Sequence, residues 1–310
     1  MSQTFSIAFY NLENLFEPAD NDKKLDKDYT PEGRFKWNKE KYLQKIDHLA
    51  LTISKIGHMH SSVPPLVIGV CEVENESCLH DLVSSKYLEA HSYEYVFHES
   101  SDVRGIHVAF LYQKKFFELT TFKGFPVSVH MKDKVEPTRD ILYVNGKLFG
   151  KQIHFLINHW PSRTDGTTFT NHKRLSASKL AQEVINGLQN QESLADILVM
   201  GDFNDDPLSH SVQSFKKLGF VNAMESFQKQ KKGSLKFKGK WVMFDQILFN
   251  KNLNESSWFN YQTSHIFVEP YLMQKSGRHK GAPKRTFIGK WHLGGFSDHF
   301  PVLAYFKINH

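Results

Sequence analysis

The chain has 310 residues, 40% of them apolar, 23% charged and 14% aromatic, with a formal net charge of +6. That composition excludes a disordered chain, and no apolar run is long enough to cross a bilayer, so no stable membrane insertion is expected. Two cysteines, Cys71 and Cys78, make no disulfide framework, and the modest basic excess permits a polyanionic partner without requiring one.

The first residues enter a strand pattern at once, with Phe5, Ile7 and Phe9 alternating against Ser6, Ala8 and Tyr10. No basic segment followed by an apolar one precedes them, so a cytoplasmic, reducing location is expected; a chain trimmed of a signal peptide would read the same. A monomer is expected. The charged stretch from Asn21 to Arg34, with Pro31 and Gly33, reads as a long loop. Tyr42, Ile46, Leu49, Ile53 and Ile56 then recur at helical spacing, with Asn38 as N-cap. Pro64 and Pro65 end that pattern, and the apolar run over residues 66–73 predicts a strand buried on both faces.

Further strands are predicted at 93–98, 107–112, 141–144, 152–158, 196–200, 242–249, 262–268 and 302–307. Asn145-Gly146 predicts a hairpin turn between two of them. A second amphipathic helix is predicted over 172–189, and a shorter one over 210–218, capped by Ser209 and ended by Gly219. Many strands with a few helices and no linker predict one α/β domain over residues 1–310.

Polar residues gather where these strands end. Asn11 and Glu13 follow the first strand, Glu72 ends the most apolar one, and His159 ends another. Asp202 and Asn204 follow Ile197-Leu198-Val199-Met200, Asp245 interrupts the segment from Val242 to Leu248, and Ser297-Asp298-His299 precedes the last strand. A carboxylate on a buried strand is costly unless paired or bound to a metal, so six such places point to one site. There is no Gly-x-Ser-x-Gly elbow, Walker loop or dinucleotide fingerprint to suggest another enzyme class.

The segments Tyr10-Asn11-Leu12-Glu13-Asn14-Leu15, Glu72-Val73-Glu74-Asn75, Asn158-His159-Trp160-Pro161-Ser162-Arg163, Gly201-Asp202-Phe203-Asn204 and Ser297-Asp298-His299 resemble, in order, the motifs of the endonuclease/exonuclease/phosphatase superfamily. Thr30-Pro31-Glu32-Gly33 before Trp37, and Asp102-Val103-Arg104-Gly105-Ile106, are similar to a bacterial branch of it. The resemblance implies a four-layer α/β sandwich, two mixed sheets face to face and flanked by helices, with the site at one rim. It implies Glu72 as the principal ligand of Mg²⁺ or Mn²⁺, with Asn11, Glu13 and Asp298 completing or supporting an oxygen-rich shell. Asp202 would orient or deprotonate the attacking water, and Asn204 would hold the nucleophile or a phosphoryl oxygen. His299, oriented by Asp245, would bind the phosphoryl group, and His159 would do likewise or assist the leaving group. The pattern leads one to expect a carboxamide or acid where His107 stands.

The expected function is therefore metal-assisted hydrolysis of a phosphodiester or phosphomonoester, with a small-molecule phosphate ester or a nucleic acid as substrate. The alternative is a catalytically inactive or nonspecific nucleic-acid-binding module that uses the same cleft. Arg104, Arg139, Arg163 and Arg285 are candidate phosphate contacts. Arg285 belongs to a stretch with Lys275, Arg278, Lys280, Lys284 and Lys290 and no acidic residue, which leads into Ser297-Asp298-His299 and is expected to overhang the metal site.

Overall fold

The structure, a computed structural model, describes residues 2–19, 25–131, 134–163 and 166–309. The chain runs through β1 (Ser2–Leu15), α1 (Lys39–Lys55), β2 (Val67–Val73), α2 (Glu76–Val83), β3 (Tyr93–Phe97), β4 (His107–Gln113) and β5 (Phe117–Phe125). A short ribbon, β6 (Ser128–Met131) and β7 (Lys134–Pro137), leads to the hairpin of β8 (Ile141–Leu148) and β9 (Lys151–His159). Next come α3 (Thr167–Gln191), β10 (Ile197–Asp202), α4 (His210–Gln213), β11 (Phe220–Asn222) and α5 (Glu225–Lys229). A second ribbon, β12 (Leu235–Phe237) and β13 (Lys240–Val242), precedes β14 (Asp245–Asn250), α6 (Lys251–Glu255) and β15 (Phe259–Ile266). The chain ends with a two-residue ribbon, β16 (Phe287–Ile288) and β17 (Trp291–His292), and then β18 (Val302–Asn309).

Two six-stranded mixed sheets result, ordered β15-β18-β1-β2-β4-β3 and β11-β14-β10-β9-β8-β5. Each contains one parallel pair, β1 with β2 and β9 with β10, and antiparallel neighbours elsewhere. A parallel pair needs a long crossover, which α1 supplies in the first sheet and α3 in the second. The inner faces meet in a shared core that includes Phe9, Phe110, Phe155, Met200 and Phe306. The helix layers bury the outer faces: Ile46, Leu49 and Ile53 with Tyr10 and Ile68, and Ala177, Ala181 and Ile185 with Ile197 and Val199. This is the expected four-layer sandwich. At Gly69 the sheets come so close that a Cβ would stand 2.7 Å from Met200 Sδ, so no larger residue fits without repacking.

Several local expectations are corrected. Asn145-Gly146 lies inside β8, paired with His154 and Ile153, and the hairpin turns instead at Phe149 and Gly150, with φ of 50° and 76°. Gly146 serves packing, since a Cβ there would stand 2.3 Å from the Phe117 ring. The predicted strand over 242–249 breaks at Met243-Phe244, because Phe203 N–H donates to Phe244 O and Met243 N–H to Asp206 Oδ1; Asp245 opens β14 instead of interrupting a strand. The second helix begins earlier than expected, at Thr167. Ser209 is the N-cap of α4, but its side chain makes no capping bond, and the helix continues as 3₁₀ turns to Gly219, whose φ is 78°. The sequence pattern predicts neither strand β5 nor helix α2, which Asn75 caps. The expected loop from Asn21 falls partly outside the described residues; Lys27–Tyr29 within it form a 3₁₀ turn. Among the described residues, no helix is long and apolar enough to cross a membrane.

Candidate active site

The four strands of the two parallel pairs end at one rim, and their C-terminal ends carry the polar residues. There β1 supplies Asn11 and Glu13, β2 supplies Glu72, β9 supplies His159 and β10 supplies Asp202. The antiparallel neighbours begin at the same rim: Asp245 is the first residue of β14 and pairs with Asp202, while His299 lies three residues before β18. Ligand sites at the carboxyl ends of strands are the rule for α/β folds.

The backbone is distorted where these side chains leave the sheet. Pairing of β1 with β2 shifts register between Asn11 and Leu15, and pairing of β2 with β4 shifts between Cys71 and Val73. Glu72 is thus the extra residue of a bulge, with φ of 65°, and Glu13, Asn14 and Asn204 also have positive φ. Non-glycine residues in this region cost on the order of 1 kcal/mol each, and such strain clusters at functional sites. The bulge turns Glu72 to the rim, where Oε2 accepts from Asn14 N–H at 2.9 Å.

Asn11 stands between the two sheets. Its Nδ2 donates to Asp202 Oδ2 at 3.1 Å and to Glu72 Oε1 at 3.3 Å, while its Oδ1 accepts from Glu13 N–H at 2.9 Å. The expectation of Asn11 as an oxygen ligand meets a different orientation here, because that oxygen is spent on the backbone and the amide nitrogen bridges two carboxylates. His159 Nε2 lies 3.8 Å from Glu72 Oε1 and 3.9 Å from Asp202 Oδ2. These separations are too long for direct hydrogen bonds. Burial, reinforced by the charges of Arg139, Arg104 and His299, drives His159 well below the usual histidine range, so its imidazole is neutral.

On the other side, His299 Nδ1 lies 2.7 Å from Asp245 Oδ2, which also accepts from Ser234 Oγ at 2.5 Å. Burial opposes charge on this ring, but the Asp245 carboxylate outweighs it and Asp298 and Asp202 add to the effect, so the pKa is raised well above normal. Its Nε2 faces Asp202 Oδ2 at 3.9 Å. Asp202 is itself pushed up to about 7, by burial first and Asp245 second, with His299 opposing. Its Oδ1 accepts from Asn204 N–H at 2.9 Å, and Asn204 Nδ2 is taken by Trp160 O, which leaves the Asn204 carbonyl oxygen as its remaining polar side-chain atom.

Glu13 is held behind this row. Its Oε2 accepts from Thr286 N–H and Oγ1 at 2.6 and 2.7 Å, and Lys45 Nζ lies 3.5 Å away. Burial, then Asp298, raises Glu13 to about 7, and burial lowers Lys45 despite its acidic neighbours. Partial desolvation opposes charge on Asp298, but His299, Arg285 and Lys45 hold it below the usual carboxylate range. Lys45 is not predicted from the sequence, although a lysine on the apolar stripe of α1, one residue before Ile46, is a signal for it.

The arginines divide. Arg285 Nη2 is 2.5 Å from Asp298 Oδ2 and Nε is 3.8 Å from Glu13 Oε1, so it sits at the acidic cluster. Arg104 Nη2 donates to Asn14 Oδ1, and Arg139 Nε lies 3.1 Å from Asp102 Oδ2. Both line a cleft with Ser162 and Lys173, and their charges act on His159. Arg163 is instead committed to Asp205 and Asp206 and lies over the Phe244 ring, which fits a role in holding the 204–206 turn better than one in touching phosphate. His107 does not point at the cluster: its Nδ1 accepts from Ser100 N–H at 3.0 Å and its ring packs edge-on to Phe97.

The donor set suits a hard divalent cation. Glu72 and Asp298, 14% and 26% exposed, are the carboxylates open to solvent, whereas Glu13, Asp202 and Asp245 are buried. Among the described residues, two tighter groups of ligand-type atoms, Cys71–His159–Asp202 and Asp202–Asp245–His299, fall within 4.8 Å. Burial holds the Cys71 thiol protonated, and the second group is already joined by the Asp245–His299 hydrogen bond, so neither makes a soft-metal site. Oxygen ligands favour Mg²⁺ or Mn²⁺ over structural zinc.

Two mixed sheets, their flanking helices and an acidic, histidine-bearing rim define a deoxyribonuclease-I-like sandwich. Residues 6–308 match the model of the Endonuclease/Exonuclease/phosphatase family, and the chain belongs to that family. Its members are hydrolases that include phosphatases and nucleases. Among solved structures, the chain is similar to an endonuclease/exonuclease/phosphatase family protein of Bacteroides thetaiotaomicron (TM-score 0.63, 18% identity, covering 100% of this chain and 96% of that one). It is similar to the mannosyl-6-phosphatase Bt3783 of the same organism (0.62, 18%, 97% and 99%) and to the human Nocturnin catalytic domain with bound sulfate (0.60, 13%, 99% and 95%). No match was found among curated proteins.

Proposed function

We propose that this chain is a divalent-metal-dependent phosphoesterase that cleaves a phosphodiester or phosphomonoester by attack of water. The observation that carries this reading is the convergence of Asn11, Glu72, His159, Asp202 and His299 from five separate segments, with neighbouring polar atoms 3.1 to 3.9 Å apart. The phosphatase named among the similar structures supports a phosphate-ester substrate.

Glu72 and Asp298 would hold the cation, with Glu13 behind them fixing Lys45 and Thr286. Bound there, Mg²⁺ or Mn²⁺ supplies charge that neutralises phosphoryl oxygens and favours their attack by water. Asp202, fixed by Asn204 N–H and Asn11 Nδ2, accepts the proton of the attacking water. The Asp245–His299 pair presents a charged Nε2–H to a phosphoryl oxygen, an interaction that strengthens as negative charge builds in the transition state. His159, a neutral imidazole between Glu72 and Asp202, donates a hydrogen bond to the phosphoryl or leaving-group oxygen.

Purified protein is assayed with Mg²⁺ or Mn²⁺ against a panel of phosphodiesters and phosphomonoesters. Turnover that chelator removes and added cation restores is expected. Metal-supplemented protein that leaves every ester intact would sink the reading.

A further inference from the structure

The distribution of charge along the chain is lopsided. Residues 226–244 hold Lys229, Lys231, Lys232, Lys236, Lys238 and Lys240 with no acid among them. Residues 270–297 hold another six cations, Lys275, Arg278, Lys280, Lys284, Arg285 and Lys290, again with no acid. Taking these twelve from the 39 Lys and Arg leaves 27 cations against 33 Asp and Glu, so the remainder of the chain carries −6 while these two stretches carry +12.

The fold sets the two stretches side by side at the catalytic rim. Phe300 N–H donates to Ser234 O at 2.7 Å, which ties the loop before β18 to the β12–β13 ribbon. Lys236 of the ribbon faces Gln274, His279 and Arg285 across a cleft of about 130 Å³ that ends on Asp298. A second cleft, of about 430 Å³, lies between Lys231, Lys232 and Trp241 on one side and Gly281 and Phe300 on the other. Lys229 is paired with Glu225, Arg285 with Asp298, and Lys284 with Gly294 O. The other nine cations have no carboxylate within 4.0 Å among the described residues. Charge that serves only solubility is interspersed with acids over a whole surface. Here it is of one sign: Lys236 and Arg285 line the first cleft, which ends on Asp298, and Lys231 and Lys232 line one side of the second.

We propose that these two walls form a docking track for the backbone of a single-stranded nucleic acid, with the strand led toward Asp298. The direction of the track rests on the phosphoesterase reading above; the binding itself does not. Cations on both sides of a cleft match a linear polyanion, whose phosphates recur along its length, better than a planar bilayer. Only two large apolar side chains stand exposed in the second stretch, Ile288 at 37% and Trp291 at 70%. Trp291 carries Lys290 Nζ 5.6 Å from its ring centroid, and the rest of this exposed indole offers a stacking face for a base, the second component of sequence-independent strand binding.

The test measures binding of a labelled twelve-nucleotide single strand to the full chain in chelator, by fluorescence anisotropy over a series of salt concentrations. Two triple variants are compared with the wild type: K236Q/K238Q/K240Q on the ribbon and K275Q/R278Q/K280Q on the loop. Each is expected to weaken binding at least about tenfold and to flatten the log–log salt dependence by about two, since each phosphate contact on a single strand contributes about 0.7 to that slope. Turnover of a small chromogenic phosphodiester should stay at the wild-type level in both. A control, K55Q/K147Q/K179Q, removes the same charge elsewhere and should bind as the wild type does. Equal weakening in the control would overturn the proposal, as would a wild type that binds no strand, or one that binds phosphatidylserine vesicles or duplex in preference. Strand binding lost in both triple variants while no ester is ever hydrolysed would uphold the track and remove the phosphoesterase reading instead.

Discussion

Asp245 Oδ2 receives both the His299 ring, at 2.7 Å from Nδ1, and the Ser234 hydroxyl, at 2.5 Å. The first element of β14 thereby fixes the imidazole so that Nε2 points into the cluster, 3.9 Å from Asp202. Asp245→Asn keeps a side chain of the same size but removes the charge that keeps the ring protonated. Its kcat is expected to fall at least about a hundredfold with little change in KM, the mark of an interaction made mainly in the transition state. His299→Ala should lose about as much, and the double variant little more. Losses that multiply in the double variant would show that the two side chains act separately.

Glu72 combines a strained backbone with an open carboxylate, and its Oε2 is fixed by Asn14 N–H. Glu72→Gln preserves an oxygen for that bond and removes the negative charge. Mn²⁺ affinity, read by isothermal titration calorimetry, should fall at least about tenfold, and turnover at least about a hundredfold. Wild-type activity that persists after exhaustive chelation would refute the assigned role.

The turn carrying Asn204 is anchored from behind. Arg174, fully buried on α3, has Nε 3.1 Å from Asp205 Oδ1, and Asp205 Oδ2 accepts from Ser211 Oγ at 2.5 Å. Removing one partner of a buried ion pair leaves the other uncompensated, at a cost of about 3–5 kcal/mol. Arg163 remains beside Asp205, so Arg174→Met is expected at the low end, about 3 kcal/mol, in urea unfolding. Since Asp205 follows Asn204 directly, kcat should drop as well. A variant as stable and active as the wild type would remove Arg174 from the support of this turn.

What was legible in the sequence follows from the physics of each feature. Long apolar runs ended by Glu72, His159 and Asp202 signalled strands whose last residues leave the sheet, and those ends do meet at one rim. The bulge at Glu72 was not legible, because a shift of register depends on pairing with β4, far along the chain. Nor was the orientation of Asn11, which is decided by Glu13 N–H claiming its oxygen. Asn145-Gly146 has the composition of a turn, yet the glycine answers to the Phe117 ring. The loop from Lys275 to Lys290 was legible as a basic stretch, but not its neighbour, since only the fold sets Lys236 across from it.

His107 stands where the family resemblance implied a carboxamide or acid, and it turns out to be a buried acceptor: Ser100 N–H donates to its Nδ1 at 3.0 Å. Burial, first, lowers its pKa below the ordinary value of 6.5, against the opposing pull of Glu99 and Asp102. In the unfolded chain the ring takes up a proton near that ordinary value; in the folded chain protonation would abolish the bond to Ser100 and charge an interior group. The unfolded state therefore binds more protons below about pH 6.5, and stability is lost as pH falls through that range, with each unit of separation worth about 1.4 kcal/mol. The unfolding free energy is to be measured in urea at about pH 7.5 and about pH 5.5 for the wild type and for His107→Gln, whose carbonyl can accept from Ser100 without titrating. The wild type should lose more on acidification than the variant does, whatever their absolute stabilities. Equal losses would mean that other groups carry the acid sensitivity and that His107 is replaceable by any acceptor of similar size.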